Sequence, residues 1–210
     1  ALWKAEMLRL QKTVEERFIG HAIVWDEDDA IKVLTSDYQH GPSVQSITQR
    51  IYDEIPGDDD VTKMQYLDLH LWMPGDILLK ADKMSMAHSL ELRVPFLDKE
   101  VMEVAKKIPS KYRVNNNETK YVLRQASYEE LPEEWAQRPK LGFPVPLRHW
   151  LREEKYYNLV KEMFTADFAK EFFDTTQLVH YLDEHYEGKA NRCRYVWTVY
   201  VFLVWYKRFF

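Results

Sequence analysis

Two stretches of the chain carry residues whose types and spacing could do chemistry. The first, KADKMSMAHSLELRVPFLD, runs from Lys80 to Asp98 and sets Lys80, Lys83, Glu91, Arg93 and Asp98 among apolar residues. Ammonium, guanidinium and carboxylate groups taken out of water must be paired or hydrogen-bonded. Five such groups around Val94-Pro95-Phe96-Leu97 therefore point to a polyanionic or zwitterionic ligand. The second stretch, QRPKLGFPVP, runs from Gln137 to Pro146. Here Lys140 follows a proline and precedes Gly142 by two residues, on a loop where a rigid frame can present one cation to a bound molecule.

Each of these residues also has an ordinary structural explanation. Lys83 can serve phosphate as a mobile point charge, or it can be a solvated lysine on a helix. Glu91 and Arg93 are separated by one residue, so in an extended segment they share a face and can pair with each other. Asp98 is a good N-cap for a helix that follows it. Lys140 has the fewest structural duties, although an exposed loop lysine needs none. On the residues alone both readings stay open, and no reaction can be assigned.

Several familiar constellations are missing. His180 and His185 are five apart and leave one helix face, the H-E-x-x-H pattern does not occur, and a single cysteine cannot supply a thiolate cluster, so no metal site is expected. No Gly-rich phosphate loop, dinucleotide fingerprint or serine elbow occurs either. Cys193, between Arg192 and Arg194, could have a lowered thiol pKa. With no partner histidine signposted, a structural role is expected for it. One cysteine also excludes an intramolecular disulfide framework and leads to the expectation of a reducing, cytoplasmic compartment.

The elements that must position these residues read as helical. The chain has 210 residues and is 46% hydrophobic, with seven Trp, thirteen Tyr and ten Phe but only six Gly. That is enough for a core and short of the turn glycines of a β-sandwich or barrel. A single mainly α domain over residues 1–210, an irregular helical bundle, is expected. The net charge of −5 gives no global attraction to nucleic acid, and the adjacent basic pairs Lys106-Lys107 and Lys207-Arg208 read as solvated helix faces. The apolar run Tyr195–Phe210 is too short to span a membrane, which takes about 20 apolar residues. A buried C-terminal helix over 191–210 is expected instead.

Along the chain, Thr13 before Val14-Glu15-Glu16 is a capping-box signature, and Asp26 to Asp29 could open another helix. The stretch Ile55-Pro56-Gly57-Asp58-Asp59-Asp60 reads as a loop. Val61, Met64, Leu67, Leu71 and Trp72 then recur at helical spacing. Pro74 fits a first helical turn and opens a helix over 75–86. Further helices are expected over 99–108 and 118–130, after Pro132 and after Pro146, and within 159–187, with few convincing strands. The chain does not begin with Met and opens within a helical pattern, ALWKAEMLRL. It is therefore expected to be a piece of something longer, and it shows no signal-peptide pattern.

Lys80 to Asp98 followed by KEVMEVAKKIP, then Lys120-Tyr121-Val122-Leu123-Arg124, then RPKLGFPVPLRHWL, closely resembles in order and spacing the C-terminal part of the synthetase domain of glutamine-hydrolysing asparagine synthetases. TVEERFIG near the N-terminus resembles the same family, so the likeness runs from about Thr13 to about Leu151. The resemblance implies the helical part of an ATP-pyrophosphatase-type synthetase domain. It further implies a parent ligase that makes asparagine from aspartate, ATP and glutamine-derived ammonia through an aspartyl-adenylate. It implies that Lys140 stabilises charge on the phosphates and the developing intermediate, and that Lys83, Glu91, Arg93 and Asp98 line the ATP and aspartate pocket. ATP and Mg2+ are implied for the parent, with none held by this piece alone. The partners implied are the remainder of the synthetase domain and a glutaminase domain, with no nucleic acid and no membrane.

The family's pyrophosphate loop, Ser-Gly-Gly-x-Asp-Ser, and its acidic loop do not occur here, and residue 1 is Ala rather than the family's nucleophilic Cys. Both loops are expected upstream of Ala1. Without the amides that cradle phosphate, the isolated chain is expected to be inactive. Two alternatives share these motifs: a β-lactam synthetase-like paralogue that adenylates another carboxylate, and a non-catalytic helical interaction module.

Overall fold

The computed structural model describes residues 12–21, 23–115, 118–139, 141–142 and 145–210. Its helices in chain order are α1 (Val14–Arg17), α2 (Glu27–Ile31), α3 (Val44–Tyr52), α4 (Asp60–His70), α5 (Leu79–Met86), α6 (Lys99–Ala105), α7 (Ser110–Arg113), α8 (Tyr121–Glu130), α9 (Glu133–Ala136), α10 (Leu147–Trp150), α11 (Glu154–Phe164), α12 (Ala169–Phe172), α13 (Thr175–Tyr186) and α14 (Cys193–Phe209). Among the described residues the one sheet is a two-stranded antiparallel ladder, β1 (Val114–Asn115) against β2 (Glu118–Thr119), pairing Val114 with Thr119. The mainly α expectation is met. The start of the helix expected at 118 is instead strand, and α8 opens after Lys120 in a left-handed conformation (φ 59°).

The helix starts follow capping chemistry. Asp26 accepts from the Asp29 N–H at 2.8 Å and opens α2. Asp59 accepts from the Val61 and Thr62 N–H groups at 3.0 and 3.2 Å and opens α4. Asp174 accepts from the Thr176 and Gln177 N–H groups at 2.9 and 3.1 Å and opens α13. Each satisfies donors that a helix start leaves without an internal partner. At α1 the Thr13 N–H donates to the Glu16 carboxylate at 2.9 Å, the reciprocal half of a capping box.

The chain divides into two compact units, one of Ala1–His21 with Gln45–Gly142 and one of Ala22–Val44 with Phe143–Phe210. The second has a continuous core, in which Val160 and Phe164 of α11, Leu178 and Leu182 of α13, and Val196, Val199 and Leu203 of α14 are all buried. Full burial of side chains this size contributes about 1.5–3 kcal/mol each. The early segment joins this unit through backbone pairing: Thr35 N–H donates to Phe172 O and Asp174 N–H to Val33 O, both at 2.9 Å. His185, fully buried on α13, receives a hydrogen bond at Nδ1 from the Arg192 N–H (3.2 Å), and its Nε2 lies 3.1 Å from Arg148 O. With Nδ1 occupied as acceptor, Nε2 carries the proton. Burial holds the His185 pKa below its usual value, against the pull of its backbone hydrogen bonds.

The first unit is built differently. Val14, Thr48, Tyr52, Lys63 and Leu67 are buried around α1, α3 and α4, and the Tyr52 hydroxyl donates to Phe18 O at 2.7 Å. Burial, reinforced by the carboxylates of Glu15 and Asp68, pushes the Tyr52 pKa up to about 12. The buried Lys63 ammonium donates to Glu15 at 2.6 Å, and that bond lowers the Glu15 pKa. From Asp68 to Trp135, however, no described residue is buried. Helices α5 to α8 therefore lie on the unit without a core of their own.

Candidate functional site: the 80–98 segment and its cleft

The segment that carries the first group of candidate residues is entered through an irregular helix. Where a regular helix starting at Pro74 is expected, residues Met73–Leu78 form a π-helical turn. Proline has no N–H to give to the preceding turn, so the ladder loses a bond where it widens. The Trp72 indole N–H bridges the turn to Asp76 at 3.1 Å. Helix α5 follows and ends in a Schellman motif: Leu90 N–H donates to Ser85 O and Ser89 N–H to Met86 O, both at 3.0 Å, with Ser89 left-handed at φ 55°. That cap turns the chain out of the helix into residues 90–94, which have no regular structure.

On this frame Lys80 pairs with Asp76 one turn back at 2.8 Å. Lys83 is exposed on α5 with no side-chain partner among the described residues. Beyond the cap, Arg93 meets Glu91 at 2.6 Å, with 84% and 71% of the two side chains exposed. Asp98 is exposed and caps α6, accepting from the Glu100 N–H at 2.8 Å. Glu91 and Arg93 are thus brought together, while among the described residues no hydrogen bond or ion pair joins Lys83 or Asp98 to that pair or to each other. Lys140 lies outside the described residues. Around these charges the apolar side chains of Met84, Met86, Leu90, Leu92, Val94 and Phe96 are all exposed, Phe96 at 68%.

A cleft in the same unit escapes sequence reading. It encloses about 810 Å³ between α4 and the segment from Met102 to Arg113, with Leu69, Trp72, Met73 and Ile108 among its apolar lining. One wall is a polar cluster. Ser110 Oγ donates to Asp59 at 2.5 Å, and Arg113 reaches Thr62 Oγ1 at 2.5 Å and Gln65 Oε1 at 2.7 Å. Partial desolvation works against the charged form of Asp59, but hydrogen bonds from Ser110 and Thr62 outweigh it and hold the pKa down at about 2. Arg113 Nε is buried with no acceptor. The only local sign of this cluster is Asp59 as a helix cap. Thr62 and Gln65 follow it on α4, whereas Ser110 and Arg113 come from beyond Pro109.

His180 is exposed and 3.7 Å from Glu184, while His185 is in the core. Among the described residues no group of three His, Cys, Asp or Glu could hold a metal ion, and no helix is long and apolar enough to cross a membrane.

No solved structure matches the chain. Glutamine-hydrolyzing asparagine synthetase 1 of Bacillus subtilis is 43% identical over 196 residues, covering 92% of this chain and 30% of that protein. A putative glutamine-hydrolyzing asparagine synthetase of Mycobacterium tuberculosis is 39% identical over 209 residues, covering 98% of this chain and 31% of that protein. The human asparagine synthetase is 29% identical over 136 residues, 57% of this chain. This chain thus spans about 30% of the length of the bacterial relatives. The family model for asparagine synthase matches residues 2–207, the segments bearing Lys83, Glu91, Arg93, Asp98 and Lys140 included, and the chain belongs to that family.

Proposed function

We propose that this chain is the C-terminal part of a synthetase that forms asparagine from aspartate, ATP and glutamine-derived ammonia. In that reaction a β-carboxylate oxygen of aspartate attacks the α-phosphorus of ATP and pyrophosphate leaves. Ammonia then attacks the adenylated carbonyl and AMP leaves. Both steps develop negative charge on phosphate and acyl oxygens, and fixed cations in a water-poor site stabilise it without reorganising. Lys140 is the catalytic cation. Lys83, with no side-chain partner among the described residues, and Arg93, held by Glu91, face the nucleotide and aspartate, and Asp98 lines the same pocket while fixing the start of α6.

The observation that carries this reading is the ridge from Leu90 to Phe96. It exposes Leu90, Leu92, Val94 and Phe96 together with an ion pair, on a unit with no buried residue from Asp68 to Trp135 among those described. Contiguous apolar surface of this kind marks a contact face. The face is where the remainder of the synthetase domain, with its phosphate-binding loop, closes over the substrates. Magnesium accompanies ATP in the parent, where it would bridge phosphate oxygens.

The isolated chain should form no asparagine from aspartate, ATP and ammonia. In the parent protein Lys140→Ala should lower kcat about 100-fold or more, the scale set by loss of one oxyanion-stabilising group. Asparagine formed by the isolated chain, or a parent indifferent to Lys140→Ala, would overturn the proposal.

A further inference from the structure

Helix α14 has two apolar faces, and the core needs only one. Val196, Val199 and Leu203 are buried against the second unit's core. Trp197, Val201, the adjacent pair Val204 and Trp205, and Phe209 recur about one helical turn apart along a second stripe and are all exposed, Trp205 at 47%. At 1.5 Å per residue the stripe is roughly 20 Å long. Two grooves flank it and share Trp205. One, of about 450 Å³, is lined by Leu34, Phe172, Phe202, Tyr206 and Phe210 as well. The other, of about 520 Å³, adds Val201, Val204 and Phe209.

The charge on this helix has one sign. α14 carries Arg194, Lys207 and Arg208 and no Asp or Glu, and none of the three has a carboxylate partner among the described residues. Lys207 and Arg208 suit the negative end of the helix dipole. Arg194 sits in the first turn, where the dipole disfavours a cation, so helix stability does not account for it.

We infer that this stripe docks an amphipathic helix of a partner polypeptide, one that sets apolar side chains into the two grooves and carboxylates against Arg194, Lys207 and Arg208. Helix-in-groove recognition uses this arrangement of spaced apolar anchors with a complementary charged rim. A second copy of the chain is a poor occupant. Laid antiparallel, the stripe puts Arg194 against Lys207 and Arg208; laid parallel, it puts like residues on like; and α14 has no carboxylate to relieve either. An anionic membrane is also a poor occupant, because the chain as a whole carries −5 and three cations fall short of the clusters of about 4–8 that recognise acidic lipid.

The test is titration calorimetry of the 210-residue chain with a synthetic helical peptide of about five turns, leucines on one face and glutamates along both flanks. A second peptide has lysine in place of every glutamate. The glutamate peptide should bind at least about tenfold tighter. Arg194→Glu/Lys207→Glu/Arg208→Glu, all exposed and checked for retained helicity, should reverse that preference, and Val201→Asp should weaken both peptides. Equal affinity for the two peptides, binding of neither, sedimentation of a dimer that excludes peptide, or binding only to phosphatidylserine vesicles would each overturn the inference.

Discussion

At the scale of single residues, most charged groups in this chain do ordinary structural work that can be measured. His185 is the sharpest case. Neutral and buried, it accepts from the Arg192 N–H at Nδ1, and its Nε2 lies within hydrogen-bond distance of Arg148 O. Its folded pKa lies below the unfolded value, so below about pH 6.5 the unfolded chain binds more protons than the folded one. Its contribution is therefore complete above about pH 6.5 and is lost as pH falls through the folded pKa. Urea unfolding at a series of pH values should show stability dropping on the acid side of that point. His185→Leu should flatten the drop and cost about 2–3 kcal/mol at neutral pH, because two buried backbone groups lose their partner. Asp98 separates a structural role from a binding one. Asp98→Ala should cost about 1 kcal/mol as a lost cap. Asp98→Asn, which keeps an N-cap oxygen, should leave stability within about 0.5 kcal/mol and raise the parent's KM for ATP about fivefold, as expected of a group in the nucleotide pocket. An unchanged KM would assign Asp98 to capping alone.

At the scale of elements, what was legible in the sequence was what short-range physics decides. The cap at Asp98, the opening at Asp26, the Thr13 signature and the apolar spacing from Val61 onward each depend on neighbours within a turn or so, and each appears where expected. Pairing of Glu91 with Arg93 was legible for the same reason. The π turn at Met73–Leu78 was not, since apolar spacing does not register a locally widened helix. The Asp59–Ser110 bond joins residues 51 apart, and no local pattern announces it. Apolar content predicts a buried last helix, yet its stripe from Trp197 to Phe209 is exposed. Apolar content tells which side chains could be buried and not which of two faces the core takes.

At the scale of the whole molecule, cores are unevenly distributed. The unit containing α11, α13 and α14 is filled by buried aliphatic and aromatic side chains, while the stretch from Asp68 to Trp135 has none among the described residues. Opening free energies follow buried apolar contact. Native-state hydrogen exchange of the isolated chain should therefore find amides of α11 and α13 protected far more strongly than those of α5, α6 and α8. If the remainder of a synthetase covers the 84–104 face, as proposed, the difference should narrow in the parent protein. Equal protection in the isolated chain would mean that this stretch is stabilised by something other than burial.

If this chain completes a site that adenylates aspartate, as proposed, the transfer of a carboxylate oxygen to AMP will report it. The parent protein is given aspartate labelled with 18O in its β-carboxylate, together with ATP and ammonia, and the products are weighed by mass spectrometry. Attack of that carboxylate on the α-phosphorus must leave one labelled oxygen in AMP and one in the asparagine amide. Labelled AMP should form in step with asparagine and be lost with Lys140→Ala. Label in inorganic phosphate, or asparagine formed beside unlabelled AMP, would contradict the proposal.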